Sequence, residues 1–321
     1  MIAMDPGIWN FIDLELSSGR DVIFLCVVES IGSSPGRQGF KMAVGNSMAG
    51  SIGGGMMEHK LVELAKTVLK NHRMPFIKRQ IHLPEEAADR SGMICSGEQT
   101  VSFSRLTPSE IMIIKTIQSE LQSGRFPTLV ISNSGIKIEP TSPDSRPFEW
   151  NKKSEEEWSY SEILGWKPHI HIFGGGHVSL AFSKLMRDLN FTVSVYDDRE
   201  DLHTMQLNSF ADEKQLIRYD EIREKLKIPS DDWIVIMTFG YRCDGVVLRQ
   251  LINTKFRYLG VLGSQAKIEK MWSELKAEGV SEDVLNAIHA PVGIQVFSQT
   301  PEEIAVSIAA EIIREKNKPV I

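Results

Sequence analysis

Apolar and polar positions recur along this chain at two periods. Spacing of three to four predicts helices at Ile8 to Leu16, at Met56 to Val68, at Pro108 to Leu121 and at Leu180 to Leu189. It predicts two more at Lys267 to Lys276 and at Ile304 to Ile312. The last follows Thr300-Pro301-Glu302-Glu303, a capping box with proline at the first helical position. Strands are expected at residues 76–82, Thr100 to Phe103, Phe126 to Ile131 and Arg257 to Leu262. The runs Val22 to Val28 and Trp233 to Met237 are continuously apolar, as strands covered on both faces are.

From Pro140 to Lys167 the periodicity lapses into polar, charged sequence, TSPDSRPFEW and NKKSEEEWSY. This predicts a domain at 1–140, a linker at 141–167 and a second domain at 168–321. The fold class expected is α/β, an N-terminal α/β domain followed by a doubly wound one.

The second domain opens on an apolar run, His169 to Phe173, then Gly174-Gly175-Gly176-His177-Val178, a helical stripe, a second strand Thr192 to Tyr196, and Asp197-Asp198. Strand, glycine turn, helix, strand and acid make the start of a Rossmann-like, nucleotide-binding βαβ unit. Gly174 permits the turn, and Gly176 lets a phosphate approach the backbone at the positive end of the helix. Asp197 stands where an acid accepts hydrogen bonds from a ribose. Ser179 occupies the third position of the G-x-G-x-x-G fingerprint. Gly263-Ser264 forms another glycine turn at a strand end, and Asp244 is a site candidate or a helix cap.

The N-terminal half has its own dense glycine passages, Ile31 to Gly39 and Ser51-Ile52-Gly53-Gly54-Gly55, the second directly before a helix. Backbone N–H groups gathered there predict a second anion cradle, with Glu58 in the first helical turn as a polar contact or a dipole partner. Cys95 lies in a glycine-bracketed loop that runs on to Gln99, where a thiol can reach a ligand, a metal or a second thiol. Cys26, inside an apolar strand, reads as a small buried hydrophobe. His169 and His171 face one way but lack a third metal ligand at readable spacing.

Composition narrows the partners. A net charge of −6 and a pI of about 5.8 leave no basic face for duplex nucleic acid. No apolar run is long enough for a bilayer, and the first residues carry no signal-peptide pattern. Three scattered cysteines are too few for a disulfide framework. A cytoplasmic location is expected, and the sequence leaves a homodimer open.

Six segments in order resemble the motifs of the XdhC/CoxI family. They are Gly50 to Gly55 with Glu58, Gly92 to Cys95 with Gly97-Glu98, Phe173 to Val178, Tyr196-Asp197-Asp198-Arg199-Glu200, Gly260 to Ser264, and Thr300 to Ile308. The pattern departs at Ser96, at Phe239 and Tyr241 where many members carry histidines, and at Gln265-Ala266 where a basic pair often stands. The resemblance implies a chaperone that binds the molybdenum cofactor, shields it while a cysteine desulfurase installs its terminal sulfur, and delivers it to an apo molybdenum hydroxylase such as xanthine dehydrogenase. Cofactor-binding residues implied on this basis are Ser51, Gly53, Gly54, Gly55, Glu58, Cys95, Gln99, Gly174, Gly176, His177, Asp197, Asp198, Arg199, Gly263 and Ser264, with Cys95 facing the metal. The alternatives are an NAD(P)-dependent oxidoreductase and a nucleotide-sensing module. The residues offer the oxidoreductase no acid–base pair placed for hydride transfer.

Overall fold

The computed structural model describes residues 6–71, 75–81, 97–142 and 145–318. The chain divides into two compact units, Met1–Trp166 and Lys167–Ile321.

The first unit begins with α1 (Pro6–Ser17), β1 (Val22–Gly32), β2 (Lys41–Val44), β3 (Met48–Gly50), α2 (Gly55–Asn71), β4 (Phe76–Ile81) and β5 (Gly97–Leu106). A short 3-10 turn, Pro108–Glu110, leads into α3 (Ile111–Gln122). Then come β6 (Thr128–Ser132), β7 (Gly135–Glu139), β8 (Phe148–Lys152) and β9 (Trp158–Ile163). The five strands β3-β2-β1-β5-β4 form one antiparallel sheet. Strand β1 is its spine. Ile23, Leu25 and Val27 pack with Leu61, Ala65 and Val68 of α2. Phe24, Cys26 and Val28, on the other face, pack with Ile12 of α1, Ile114 of α3, and Leu129, Trp158 and Tyr160. The continuous apolar run thus reflects a sheet covered on both faces, here an antiparallel one. Cys26 is fully buried, and that burial pushes its thiol pKa well up.

The expected linker at 141–167 is corrected. Its residues supply β8 and β9, which pair with β6 and β7 in a second antiparallel sheet, order β7-β6-β9-β8. Trp158, Tyr160 and Leu164 belong to the core. The charged texture has two physical sources. Residues 153–157 turn between strands, and β8 is an edge strand, where charges block further pairing. Glu162 of β9 is buried, accepts a hydrogen bond from Tyr160 Oη at 3.0 Å, and pairs at 2.6 Å with Lys41 of β2. Burial pushes the Lys41 ammonium down, and the neighbouring Glu162 more than reverses this, so the lysine keeps its charge. That ion pair ties the two sheets.

The second unit runs β10 (His169–Phe173), α4 (His177–Asp188), β11 (Thr192–Asp197), α5 (His203–Leu207) and β12 (Glu213–Leu216). A 3-10 turn, Tyr219–Glu221, continues as α6 (Ile222–Lys225). Then follow β13 (Trp233–Ile236), α7 (Tyr241–Leu251), β14 (Tyr258–Val261), α8 (Gln265–Ala277), α9 (Glu282–Asn286) and α10 (Pro301–Lys316). The sheet order is β12-β11-β10-β13-β14, and every pair is parallel. Phe182 and Met186 of α4 and Ile308 and Ile312 of α10 cover one face. Val247, Leu248, Ile268 and Met271 of α7 and α8 cover the other. The chain builds outward from β10 to β12, then returns to place β13 on β10's free side. The strand order reverses between β10 and β13, and sheets of this kind bind ligands outside the carboxyl ends of the strands near such a point.

Tyr160→Ala tests the reassignment of the linker. A core aromatic truncated to alanine loses about 3–5 kcal/mol, against about 0.5 kcal/mol or less for an exposed connector. Urea unfolding measures the difference, and a change at the lower figure returns β9 to linker status.

Candidate functional site

The turn after β10 is built by close approach. Gly174 has φ +112°, and a Cβ there would lie 2.2 Å from the Met237 carbonyl oxygen at the end of β13. Its N–H donates to Tyr196 O at 2.7 Å. Gly176 caps α4 and has no side-chain cap. A Cβ on Gly176 would meet nothing within 4 Å. The first turn of α4 therefore offers N–H groups without helical partners, at the positive end of the helix dipole. His177, the first residue of α4, is exposed. Helices α8 and α10 differ, because Ser264 and Thr300 cap them with their own side chains.

Asp197 does not wait for a ribose. It is wholly buried and accepts from Gly175 N at 2.7 Å, from Arg199 N at 3.1 Å, and from Arg199 Nε and Nη2 at 2.8 Å each. Burial pushes its pKa up, and Arg199 with the two amides more than reverses this, leaving a carboxylate held below its usual range. Asp197 and Arg199, two of the positions expected to contact a cofactor, thus brace the turn. The guanidinium of Arg199 also lies 5.4 Å from the centre of the exposed Phe239 ring.

Asp198 points the other way and is exposed. With Arg218, Tyr219, Arg242, Cys243 and Val246 it lines a cleft of about 380 Å³ beyond the ends of β11 and β12. Tyr219 is 5% exposed, and its hydroxyl has no hydrogen-bond partner among the described residues. Ser179 Oγ, in the first turn of α4, is buried and equally unpartnered. An unpaired buried hydroxyl costs about 1–3 kcal/mol, so the Tyr219 hydroxyl at the cleft wall can take a polar partner there. Burial, then Asp198 and Asp244, push the Cys243 thiol up, which makes it a poor nucleophile. Sequence spacing missed Arg218, Tyr219, Arg242 and Cys243, which reach the cleft from two separate loop-to-helix junctions.

The turn at Gly263-Ser264, also expected at the site, starts α8 with a side-chain cap. Ser264 Oγ accepts from Lys267 N at 3.3 Å. Lys267 pairs with the buried Asp244 and donates to Leu262 O at 2.7 Å. Asp244 also accepts from Thr238 N at 2.9 Å and from Thr238 Oγ1 at 2.6 Å. The cation left near this turn is therefore neutralised, and Asp244 ties the loop after β13 instead of capping α7.

The N-terminal glycine loop, the second anion cradle expected, is folded around a side chain. Its anion is already supplied by the chain. Glu58 Oε2 accepts from Ser51 Oγ at 2.7 Å, Ile52 N at 2.9 Å and Gly54 N at 3.0 Å. Burial pushes the Glu58 pKa up, and these three donors more than reverse this, so it stays ionised in the nest. Much of the glycine density is packing. A Cβ on Gly53 would lie 2.5 Å from Gly36 N, and one on Gly97 would lie 2.5 Å from Ser34 N. Gln99 is buried, accepting from Ser34 Oγ at 2.9 Å and Gly36 N at 3.0 Å and donating to Gln80 at 2.9 Å. It stitches the loop to β5. Gly54 and Gly55, both at positive φ, shape the entry to α2. Cys95 lies outside the described residues.

Two family models match the chain, an XdhC Rossmann domain over residues 170–312 and the XdhC and CoxI family over residues 15–78. The chain belongs to the XdhC/CoxI family. Among its relatives, the uncharacterized protein YqeB of Escherichia coli (strain K12) is 26% identical over 296 residues, 91% of this chain and 43% of that protein. A Bacillus subtilis (strain 168) protein described as a probable xanthine dehydrogenase subunit is 28% identical over 152 residues, 47% of this chain and 44% of that protein. The chain thus spans less than half the length of these curated relatives. A crystal structure described as a xanthine dehydrogenase from Bacillus halodurans shares the fold, with a TM-score of 0.65 at 22% identity, over 97% of this chain and 96% of that one. Among the described residues no helix is long and apolar enough to cross a membrane.

Two substitutions separate brace from ligand contact. Asp197→Asn should cost the C-terminal unit about 2–3 kcal/mol, since it removes charge-assisted bonds to a buried group. Because the folded pKa is depressed, the wild-type contribution is present above the unfolded value of about 3.9 and is lost as pH falls through the folded one. Acid unfolding followed by circular dichroism should be flatter in the variant. Glu58→Gln should cost about 1–2 kcal/mol at neutral pH, since this carboxylate is partly solvated. Unchanged stability in calorimetry would mean that the nest does not depend on its carboxylate.

Proposed function

We propose that this chain is an accessory factor in the maturation of a molybdenum hydroxylase of the xanthine dehydrogenase type. In this reading it holds the molybdenum cofactor while a cysteine desulfurase installs the terminal sulfur, and passes it to the apo-enzyme. The observation that carries the reading is the presence of both family models, in order, in one chain. The B. subtilis relative, whose name refers to xanthine dehydrogenase, supports the client class.

The C-terminal crevice fits the phosphate-bearing part of such a ligand. The open side of Gly176 and the uncapped first turn of α4 receive an anion. Asp198 accepts hydroxyl hydrogens at the end of β11, and the Tyr219 hydroxyl donates into the cleft. The N-terminal nest does not fit a second phosphate, because Glu58 occupies it. Once delivered, the cofactor supplies the client's metal-centred hydroxylation; this chain's residues bind and orient. Cys95 is the thiol the family resemblance assigns to the metal, a role for which its softness suits it. A nucleotide such as NAD(P) in the same crevice is the second reading. Asp198, exposed where a ribose hydroxyl would lie, favours it.

Mass spectrometry of small molecules that co-purify under anaerobic conditions distinguishes a pterin from a nucleotide. Gly176→Val should abolish retention while changing stability by about 0.5 kcal/mol or less, since its side chain meets no protein atom. Retention unaltered in that variant would remove the crevice from the proposal. Cys95→Ser should weaken pterin retention selectively, and equal retention would take the thiol out of the site.

A further inference from the structure

At the amino ends of the second sheet, on the edge away from the crevice, three side chains converge that none of the crevice chemistry uses. His169 and His171 lie on one face of β10, with ring centres 4.0 Å apart. Asp232, immediately before β13, is brought to them because Ile170 pairs with Trp233 across the switch point. Asp232 Oδ2 lies 2.9 Å from His171 Nε2 and 3.5 Å from His169 Nδ1, and the three ligand atoms all fall within 4.8 Å of one another. The third ligand that sequence spacing could not supply is therefore present.

We propose that His169, His171 and Asp232 form a site for a divalent transition cation of the zinc class, joining the amino ends of β10 and β13. Tetrahedral zinc with bonds of about 2.0–2.1 Å sets neighbouring ligand atoms about 3.3 Å apart, between the two separations found. The ligand set, two imidazoles and a carboxylate, suits zinc, cobalt or nickel and not magnesium or calcium. The outer ring nitrogens are held as they are in metal sites. His169 Nε2 meets Ser194 Oγ at 2.8 Å, and Ser194 in turn donates to Glu213 at 3.3 Å. His171 Nδ1 meets Tyr196 Oη at 3.0 Å. His171 Nε2 and Asp232 Oδ2 share a hydrogen bond of 2.9 Å in this structure, and a cation would take the place of its proton, with Nδ1 then donating to the tyrosine.

Asp232 has no lysine or arginine partner among the described residues, so its charge is not already cancelled. The other cluster of this kind differs on that point. In His289, Glu311 and Glu315, Glu311 pairs with Arg314 and accepts from Tyr258 Oη, and Glu315 pairs with both Arg314 and Lys318. Cations already stand where a metal would have to be. His169, with 29% of its side chain exposed, leaves the first cluster a route from solvent, and three protein ligands leave a fourth position for water.

The test uses the untagged full chain, stripped with a chelator and titrated with Co²⁺. The expected result is about one equivalent bound with the visible absorption of a tetrahedral nitrogen–oxygen site, displaced by Zn²⁺. Asp232→Asn and His169→Ala should abolish that absorption. Tyr196→Phe should weaken binding by about 10-fold or more through the orientation of His171. His289→Ala should leave the titration unchanged. Circular dichroism of each variant separates lost binding from lost folding. No stoichiometric Co²⁺ uptake by the wild type overturns the proposal. So does absorption that survives Asp232→Asn and His169→Ala in folded protein, or that disappears in His289→Ala.

Discussion

The second unit depends on a charge it has hidden. Asp197 keeps its carboxylate ionised with no exposure to water, because Gly175 and Arg199 surround it with donors. That single group fixes the end of β11 to the turn after β10, and so fixes the direction in which α4 begins. Gly174 completes the constraint, since only a residue without Cβ lets the turn press against the carbonyl of Met237. The crevice is what remains outside this clamp. The same device recurs in the first unit, where Glu58 holds a nest of amides and hydroxyl in place. In both units acids near glycine turns serve first to shape the backbone.

How far the sequence disclosed this can be argued from a few residues. Strand, glycine turn, helix, strand and acid were legible because each is local. The choice between Asp197 and Asp198 was open by spacing, yet it follows from the alternation of β11. Val193 and Val195 belong to the core on the α4 side, and Asp197 shares their parity, so it turns toward the glycine turn, whereas Asp198 is released beyond the strand. Glu58 was visible as a first-turn acid, but no local rule tells an amide nest awaiting an anion from one filled by its own helix. Asp232 had no signal at all toward His171, since parallel pairing across the switch point creates that contact. The strands β8 and β9 hid behind charged edge and turn residues, although Trp158, Tyr160 and Glu162 alternate.

The first unit resolves a second ambiguity. Glycines crowded into residues 31–55 invite a binding interpretation, and here several of them exist so that backbone can lie on backbone, as Gly53 does on Gly36 and Gly97 on Ser34. Gln99 makes the arrangement cooperative, because its one amide satisfies groups on two sides. The buried pair of Lys41 and Glu162 works at a larger scale, since each charge has its counterpart on the other sheet. Replacing either alone strands its partner in hydrocarbon, which costs far more than the pair contributes.

The thirsty hydroxyl of Tyr219 carries a consequence for selectivity. A guest with an acceptor at that point gains a bond that the protein has already been desolvated to make. A guest of the same outline without one inherits the debt and binds about 1–3 kcal/mol less well. On the proposed reading, discrimination by polarity thus begins at the wall of the cleft, ahead of any contact that a charged loop residue could add.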